Sequence, residues 1–169
     1  MKKYLAVFSV IGSLTIAAQS YAQPGYQKDP HLPVFSLQQM DNSVLHSAQL
    51  PVYDHTTIIY FSPDCDHCRT VAKDIAGHND SFKNMFFLWV SFSPVADIKK
   101  FGQLYGLNNM PNMRLVRDAD FFLLSFYEVK NTPFTAVYDK NRKLEATFPA
   151  SGKTMVSAGK LLALINKKS

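Results

Sequence analysis

The apolar and polar positions divide the chain into an apolar N-terminal run and a longer stretch with globular patterning. Leu5 to Ala18 is apolar apart from small polar residues and Gly12. It follows Lys2-Lys3 and leads into Ser20-Tyr21-Ala22, which sets small residues where a signal peptidase reads. Residues 1–22 are therefore expected to be a secretory signal peptide cleaved after Ala22. About 14 apolar residues fall short of the ~20 that a spanning helix needs, so no stable membrane insertion is expected. Residues 23–33 are polar, carry Pro24, Gly25 and Pro30, and read as a linker. Residues 34–169 read as one domain.

Within that domain the periodicity alternates. Val34-Phe35 and Val44-Leu45 flank Asp41-Asn42 as a short hairpin or edge pair. Thr56 to Phe61 is uncharged, β-branched and aromatic, the signature of a strand buried on both faces. A helical pattern follows from Asp66 to Gly77, with Val71, Ala72 and Ile75 inward. Met85 to Phe92 reads as a second buried strand. Ser93-Pro94 then opens a helix whose apolar face is Ile98, Phe101, Leu104 and Tyr105 and which ends at Gly106. Met113 to Val116 is a third strand and Phe121 to Phe126 a short helix. Phe134 to Tyr138 and Leu144 to Phe148 form a hairpin around residues 139–142, and Thr154 to Asn166 is the last helix. Strand–helix–strand–helix followed by a hairpin and a helix predicts an α/β sandwich around one mixed sheet.

Composition removes several classes of function. With 169 residues, 47% hydrophobic and 18% charged, the chain can bury a core and is neither disordered nor collagen-like. Two cysteines exclude a disulfide-stapled miniprotein and a four-cysteine zinc site. Loss of residues 1–22 takes the formal charge from +5 to +3. The seven basic residues set against two acids after residue 138 lack interleaved aromatics, so they read as a solvated face and not as a nucleic-acid surface. No nucleotide-binding glycine motif or serine-hydrolase elbow is present. His31, His46, His55 and His78 are scattered and read as exposed loop residues. No cofactor and no resident metal are expected.

Both cysteines stand in Cys65-Asp66-His67-Cys68, directly after a buried strand and at the start of a helix. A helix N-terminus presents unpaired amides and about half a positive charge, which stabilise a thiolate. In such a turn the first cysteine is the exposed nucleophile and the second resolves the mixed disulfide, so Cys65 is expected to attack and Cys68 to resolve. A purely structural staple explains the spacing poorly, because closing four residues is worth roughly 2 kcal/mol against more than 4 for a long loop. Arg69 stands where a c-type haem site would need histidine. Three neighbours tune the potential: His67 can favour the Cys65 thiolate and Asp64 opposes it, while Asp66 both opposes it and favours the helix start that supports it. The expected potential is therefore intermediate between about −270 mV and about −120 mV, the values of a reductant and an oxidant of this chemistry.

Phe61 to Cys68 resembles the active-site segment of the thioredoxin superfamily, and more narrowly that of exported TlpA-like and ResA-like thiol-disulfide oxidoreductases. Tyr127-Glu128-Val129-Lys130-Asn131-Thr132-Pro133-Phe134 is similar to the family's Y-x-V-x-x-x-P segment. The resemblance runs from about Val34 to the C-terminus. It implies a thioredoxin-like fold, with a mixed central β-sheet flanked by helices on both faces. It also implies that Pro133 is a cis-proline facing the cysteines and that Thr132 offers backbone groups to a substrate strand. Phe134 replaces the family's usual threonine and is expected to narrow the substrate groove. Asp64 stands in place of the usual tryptophan. Ile59 and Val71 occupy the positions of the family's buried acids, and neither can accept a proton.

The implied function is an exported, periplasmic or secreted thiol-disulfide oxidoreductase, acting as a monomer on protein thiols or disulfides with a separate redox partner. The alternative is a thioredoxin-fold binding module that captures copper or a cytochrome-maturation partner through the same pair. A peroxidase is less well supported, because the T-x-x-C threonine of peroxiredoxins is absent.

Overall fold

The computed structural model describes residues 23–151 and 155–167. The expected signal peptide and Thr154 lie outside the described residues; Met155 to Ser157 are not helical, so the last helix begins at Ala158 and not at Thr154. In chain order the elements are α1 (Gly25–Lys28), β1 (Ser36–Gln39), β2 (Val44–His46), β3 (His55–Tyr60), α2 (Asp66–Gly77), β4 (Met85–Ser91) and α3 (Val95–Leu104). There follow β5 (Met113–Arg117), α4 (Phe122–Phe126), β6 (Phe134–Asp139), β7 (Leu144–Phe148) and α5 (Ala158–Asn166). The strands form one seven-stranded sheet in the order β2-β1-β5-β4-β3-β6-β7. The pairs β3–β4 and β4–β5 are parallel, and β6 runs antiparallel to β3. This is the mixed sheet that the element order predicts.

Strand side chains alternate between the two faces. Ile59, Phe61, Met85, Phe87, Trp89 and Val137 face a core closed by α2, α3 and α5. Ile58, Tyr60, Phe86, Leu88, Val90, Ala136 and Tyr138 face a second core closed by α4 and the N-terminal segment. Because both faces are covered, the central strands read as uninterrupted apolar runs. At the start of α5, Ser157 caps the helix by accepting the Lys160 N–H at 3.3 Å. Among the described residues no helix is long and apolar enough to cross a membrane.

Four other expectations are corrected. The segment 23–33 is laid against the domain and is not a linker. Its Tyr26 ring lies 5.8 Å from Tyr127 and 6.1 Å from Phe134. Its backbone joins the β7 side of the sheet through Leu32 N–H to Arg142 O (2.8 Å) and Leu144 N–H to Pro30 O (2.7 Å). Gly25 fits there because a Cβ would fall 2.5 Å from the Phe126 ring. Leu104 is 70% exposed, since the buried stripe of α3 is Ile98, Phe101 and Gly102 and Leu104 falls about 120° away from Ile98 at 100° per residue. Leu104 thus projects outward. Neither His46 nor His55 is a loop residue: His46 closes β2, exposed, and His55 opens β3 with its side chain largely covered, its Nδ1 2.8 Å from the Glu145 carboxylate. Phe134 is the fourth, described with the site.

The hinge between the sheet and α4 is an acid that the pattern of apolar residues did not mark. Asp118 is 1% exposed. Its carboxylate accepts N–H bonds from Phe122 (2.9 Å), Leu123 (3.0 Å) and Leu124 (3.1 Å), and the Tyr60 hydroxyl at 3.1 Å. Three of the orphan amides at the start of α4 are thereby satisfied, which a short helix needs if its N-terminus is to be buried. Burial, then the Asp118 charge, push the Tyr60 hydroxyl pKa well above its ordinary range.

Candidate active site

β3 ends at Tyr60 in the sheet, and the chain reaches Cys65 across Ser62-Pro63-Asp64. Cys65 is the N-cap of α2: its backbone is extended (φ −83°, ψ 119°) and its Sγ accepts the Cys68 N–H at 3.4 Å. Cys65 is half-buried, whereas Cys68, one turn on, is fully buried in the core with Val71, Ile59 and Trp89. The two thiols are free. The first cysteine is therefore the one a substrate can reach.

The segment before β6 lies opposite. The Thr132–Pro133 peptide bond is cis. The Cys65 thiol donates to the Thr132 carbonyl at 3.3 Å, a contact that spans 67 residues of sequence. Pro133 is buried beneath this contact, and Thr132 is half-buried at its edge.

The environments of the two sulfurs push their acidities apart. Partial burial disfavours the Cys65 thiolate, but hydrogen bonds from the Cys68 thiol and N–H, from Thr132 and from the His67 N–H outweigh it. Its pKa lies below the ordinary 9.0. For Cys68, burial dominates over the Ser62 N–H bond, and the pKa is pushed up to about 12. An acidic, accessible thiol thus sits beside a basic, buried one, the division of labour that attack and resolution require.

The tuning residues are arranged differently from the expected contest. His67 is exposed, and its main-chain N–H is what reaches the Cys65 sulfur. Asp64 and Asp66 point into solvent, with side chains 99% and 93% exposed. Both meet Arg69, whose Nη1 lies 3.1 Å from Asp66 Oδ1 and whose Nη2 lies 3.8 Å from Asp64 Oδ1. Its Nε–H donates to the Pro63 carbonyl at 3.1 Å. In the sequence Arg69 excludes a haem site and nothing more. Its spacing of three from Asp66 on a helix was the signal for this pairing.

Phe134 does not line the groove. It shares the β6 face of Ala136 and Tyr138, opposite that of Cys68, and is 6% exposed, with its ring 5.2 Å from Tyr127. Alternation in β6 decides this: the residue after Pro133 points to the second core and Thr135 to the first. A separate groove of about 400 Å³ lies between the start of α2 and α3. Pro63, Asp64 and Arg69 form one wall, and Lys100, Leu104 and Tyr105 the other. Among the described residues no cluster of three or more His, Cys, Asp or Glu side chains could hold a metal ion.

No family model matches the chain, and no curated protein does. Solved structures match it well in shape. A thioredoxin-like protein from Aeropyrum pernix superposes with a TM-score of 0.65 at 17% identity, over 79% of this chain and 89% of that one. A secreted Mycobacterium tuberculosis disulfide oxidoreductase homologous to E. coli DsbE superposes with a TM-score of 0.65 at 16% identity, over 79% and 95%. The M. tuberculosis peroxidoxin BcpB reaches 0.69 at 17% identity, over 82% and 96%. At such identities the likeness is one of backbone architecture: the chain has the thioredoxin-like fold.

Proposed function

We propose that the protein is an exported thiol-disulfide oxidoreductase that exchanges a dithiol and a disulfide with protein substrates through Cys65 and Cys68. One observation carries this reading. An accessible cysteine of lowered pKa caps α2, a buried cysteine of raised pKa lies one turn behind it, and the Thr132 carbonyl of the cis-peptide segment touches the first. The fold shared with a secreted disulfide oxidoreductase supports the same reading, and the apolar run at 5–18 supports export.

In the reducing direction the Cys65 thiolate attacks one sulfur of a substrate disulfide. A Cys65–substrate disulfide forms and the first substrate thiolate leaves. Cys68 then loses its proton and attacks Cys65 Sγ, so that the Cys65–Cys68 disulfide forms and the second substrate thiolate leaves. Two electrons pass from the protein to the substrate, and the substrate thiolates take up two protons. The oxidising direction is the exact reverse. With no third cysteine in the chain, the cycle closes only with a second redox molecule. The Thr132 carbonyl, freed from the Cys65 thiol when that thiol ionises, is placed to accept an N–H from an extended substrate segment.

Reduction of a disulfide-bonded protein such as insulin, with dithiothreitol as donor, tests the assignment. Cys65→Ser is expected to abolish turnover, and Cys68→Ser to accumulate a mixed disulfide with substrate. Full turnover by Cys65→Ser would refute the assignment.

A further inference from the structure

We propose that Arg69 is a positioning residue that ties the strand exit to the first turn of α2 and offsets part of the negative charge of the two carboxylates flanking Cys65. This rests on the reading of Cys65 as the nucleophile. Arg69 lies one helical turn beyond it, and its N–H bonds the Cys65 carbonyl at 3.1 Å. Helical side chains lean toward the N-terminus, so the guanidinium is carried back across the turn. There it makes three contacts: Nε with the Pro63 carbonyl, Nη1 with Asp66 and Nη2 with Asp64. The two acids are the chain neighbours of Cys65 on either side, and among the described residues Arg69 is the partner that salt-bridges both.

Two consequences follow from elementary electrostatics and geometry. Uncompensated carboxylates beside a sulfur oppose its ionisation, and a single cation held to both offsets part of that opposition. The bond to Pro63 O holds the residue before Asp64, and with it the exit turn in which Cys65 N–H bonds Ser62 O at 3.1 Å. The rigid fork of arginine makes such contacts together, which a lysine ammonium does not. The other titratable or charged side chains on these elements are His67 on α2, Asp97 and Lys100 on α3 across the groove, and, on the segment leading to Pro133, Glu128 and Lys130. None of these has a salt bridge to Asp64 or Asp66 among the described residues. The Arg69 side chain is 42% exposed, so its effect is moderate and screened by salt.

The test is a titration of the reduced protein by thiolate absorbance at 240 nm, together with iodoacetamide rates at pH 6. In Arg69→Ala the Cys65 titration is expected to move up and alkylation to slow by about three- to tenfold. Adding D64N and D66N to that variant is expected to return both readouts to near wild type. A merely structural loss would not be repaired in this way. D64N/D66N with Arg69 intact, which does not depend on the Arg69→Ala protein folding, is expected to alkylate faster than wild type. An Arg69→Ala protein that titrates like wild type, a triple variant as slow as Arg69→Ala, or a D64N/D66N protein no faster than wild type overturns the proposal. These readouts follow the ionisation of Cys65 and not turnover. Failure of the oxidoreductase reading therefore shows separately, as a wild-type protein that ionises normally but reduces no disulfide.

Discussion

The separation of the two thiol acidities predicts which cysteine reacts and by how much. At pH 7 a thiol titrating at about 12 is thiolate in about one molecule in 10⁵. A thiol held below 9.0 is thiolate in at least about one molecule in 100. Only the thiolate is nucleophilic, so ionisation alone favours Cys65 by a factor of about 10³ or more. The burial of Cys68 adds to that factor by excluding reagent. Two single-thiol proteins, Cys68→Ser and Cys65→Ser, isolate the two groups, and iodoacetamide alkylation at pH 7 followed by mass spectrometry reads each rate. Removal of Cys65 takes away its repulsion of the Cys68 thiolate, but burial is the larger cause of the raised value and remains. Cys68 is therefore expected to stay at least 100-fold slower than Cys65, a margin set below the calculated factor to allow for this relief. Rates within tenfold of each other would refute the argument that burial and hydrogen bonding divide the roles of the two sulfurs.

Two further outcomes concern stability. Cys68 and Tyr138 are held protonated to about pH 12, and Tyr60 and Tyr127 are raised as well, with burial the first cause in each. Above the unfolded values of these groups, about 9 to 10, the native state keeps protons that the unfolded state has lost. Stability then falls by about 1.4 kcal/mol per pH unit for each group. Cys65 acts in the opposite sense. Its lowered value contributes stability that is present above 9.0 and lost as pH falls through the native pKa. Urea midpoints of the reduced protein are thus expected to drop steeply between pH 10 and 11, and a flat profile there would contradict the burial of these groups. Asp118→Asn sets an amide among three N–H donors and the Tyr60 hydroxyl, and is expected to cost about 2–4 kcal/mol. Thermal melts should show a Tm lower by about 5–15 °C, with the alkylation rate of Cys65 unchanged because Asp118 serves the opposite face of the sheet. A Tm within a degree of wild type would show that the carboxylate does not hold α4.

Much of the site could be read locally because its determinants are local. The Asp66–Gly77 helix matches its expected bounds, since a cap, a first-turn acid and an apolar stripe all lie within twelve residues. The β6–β7 hairpin and the buried runs of β3 and β4 follow from period and β-propensity. The place of Cys65 as the cap of α2 followed from the same reasoning, because a helix N-terminus is a property of backbone amides that any strand–turn–helix brings with it. The cis-proline segment was legible only through resemblance, since spacing within the chain says nothing about which loop will face Cys65.

Tertiary structure decided what depends on direction and on distant neighbours. Whether Phe134 faces a substrate or the second core turns on strand alternation counted from Pro133, and one position reverses it. Leu104 belongs to an apolar period but falls outside the azimuth that α3 buries, which only the docking angle of the helix reveals. The strap at 23–33 looked like a linker because its proline and glycine content is that of one. Its anchors are the aromatic rings of Tyr127, just after α4, and Phe134 on β6, and carbonyl pairings at β7, none of them near it in sequence. The sequence by itself determined where an activated thiol would be made. The sheet order determined what meets it, because bringing Thr132 against Cys65 needs β6 to lie beside β3.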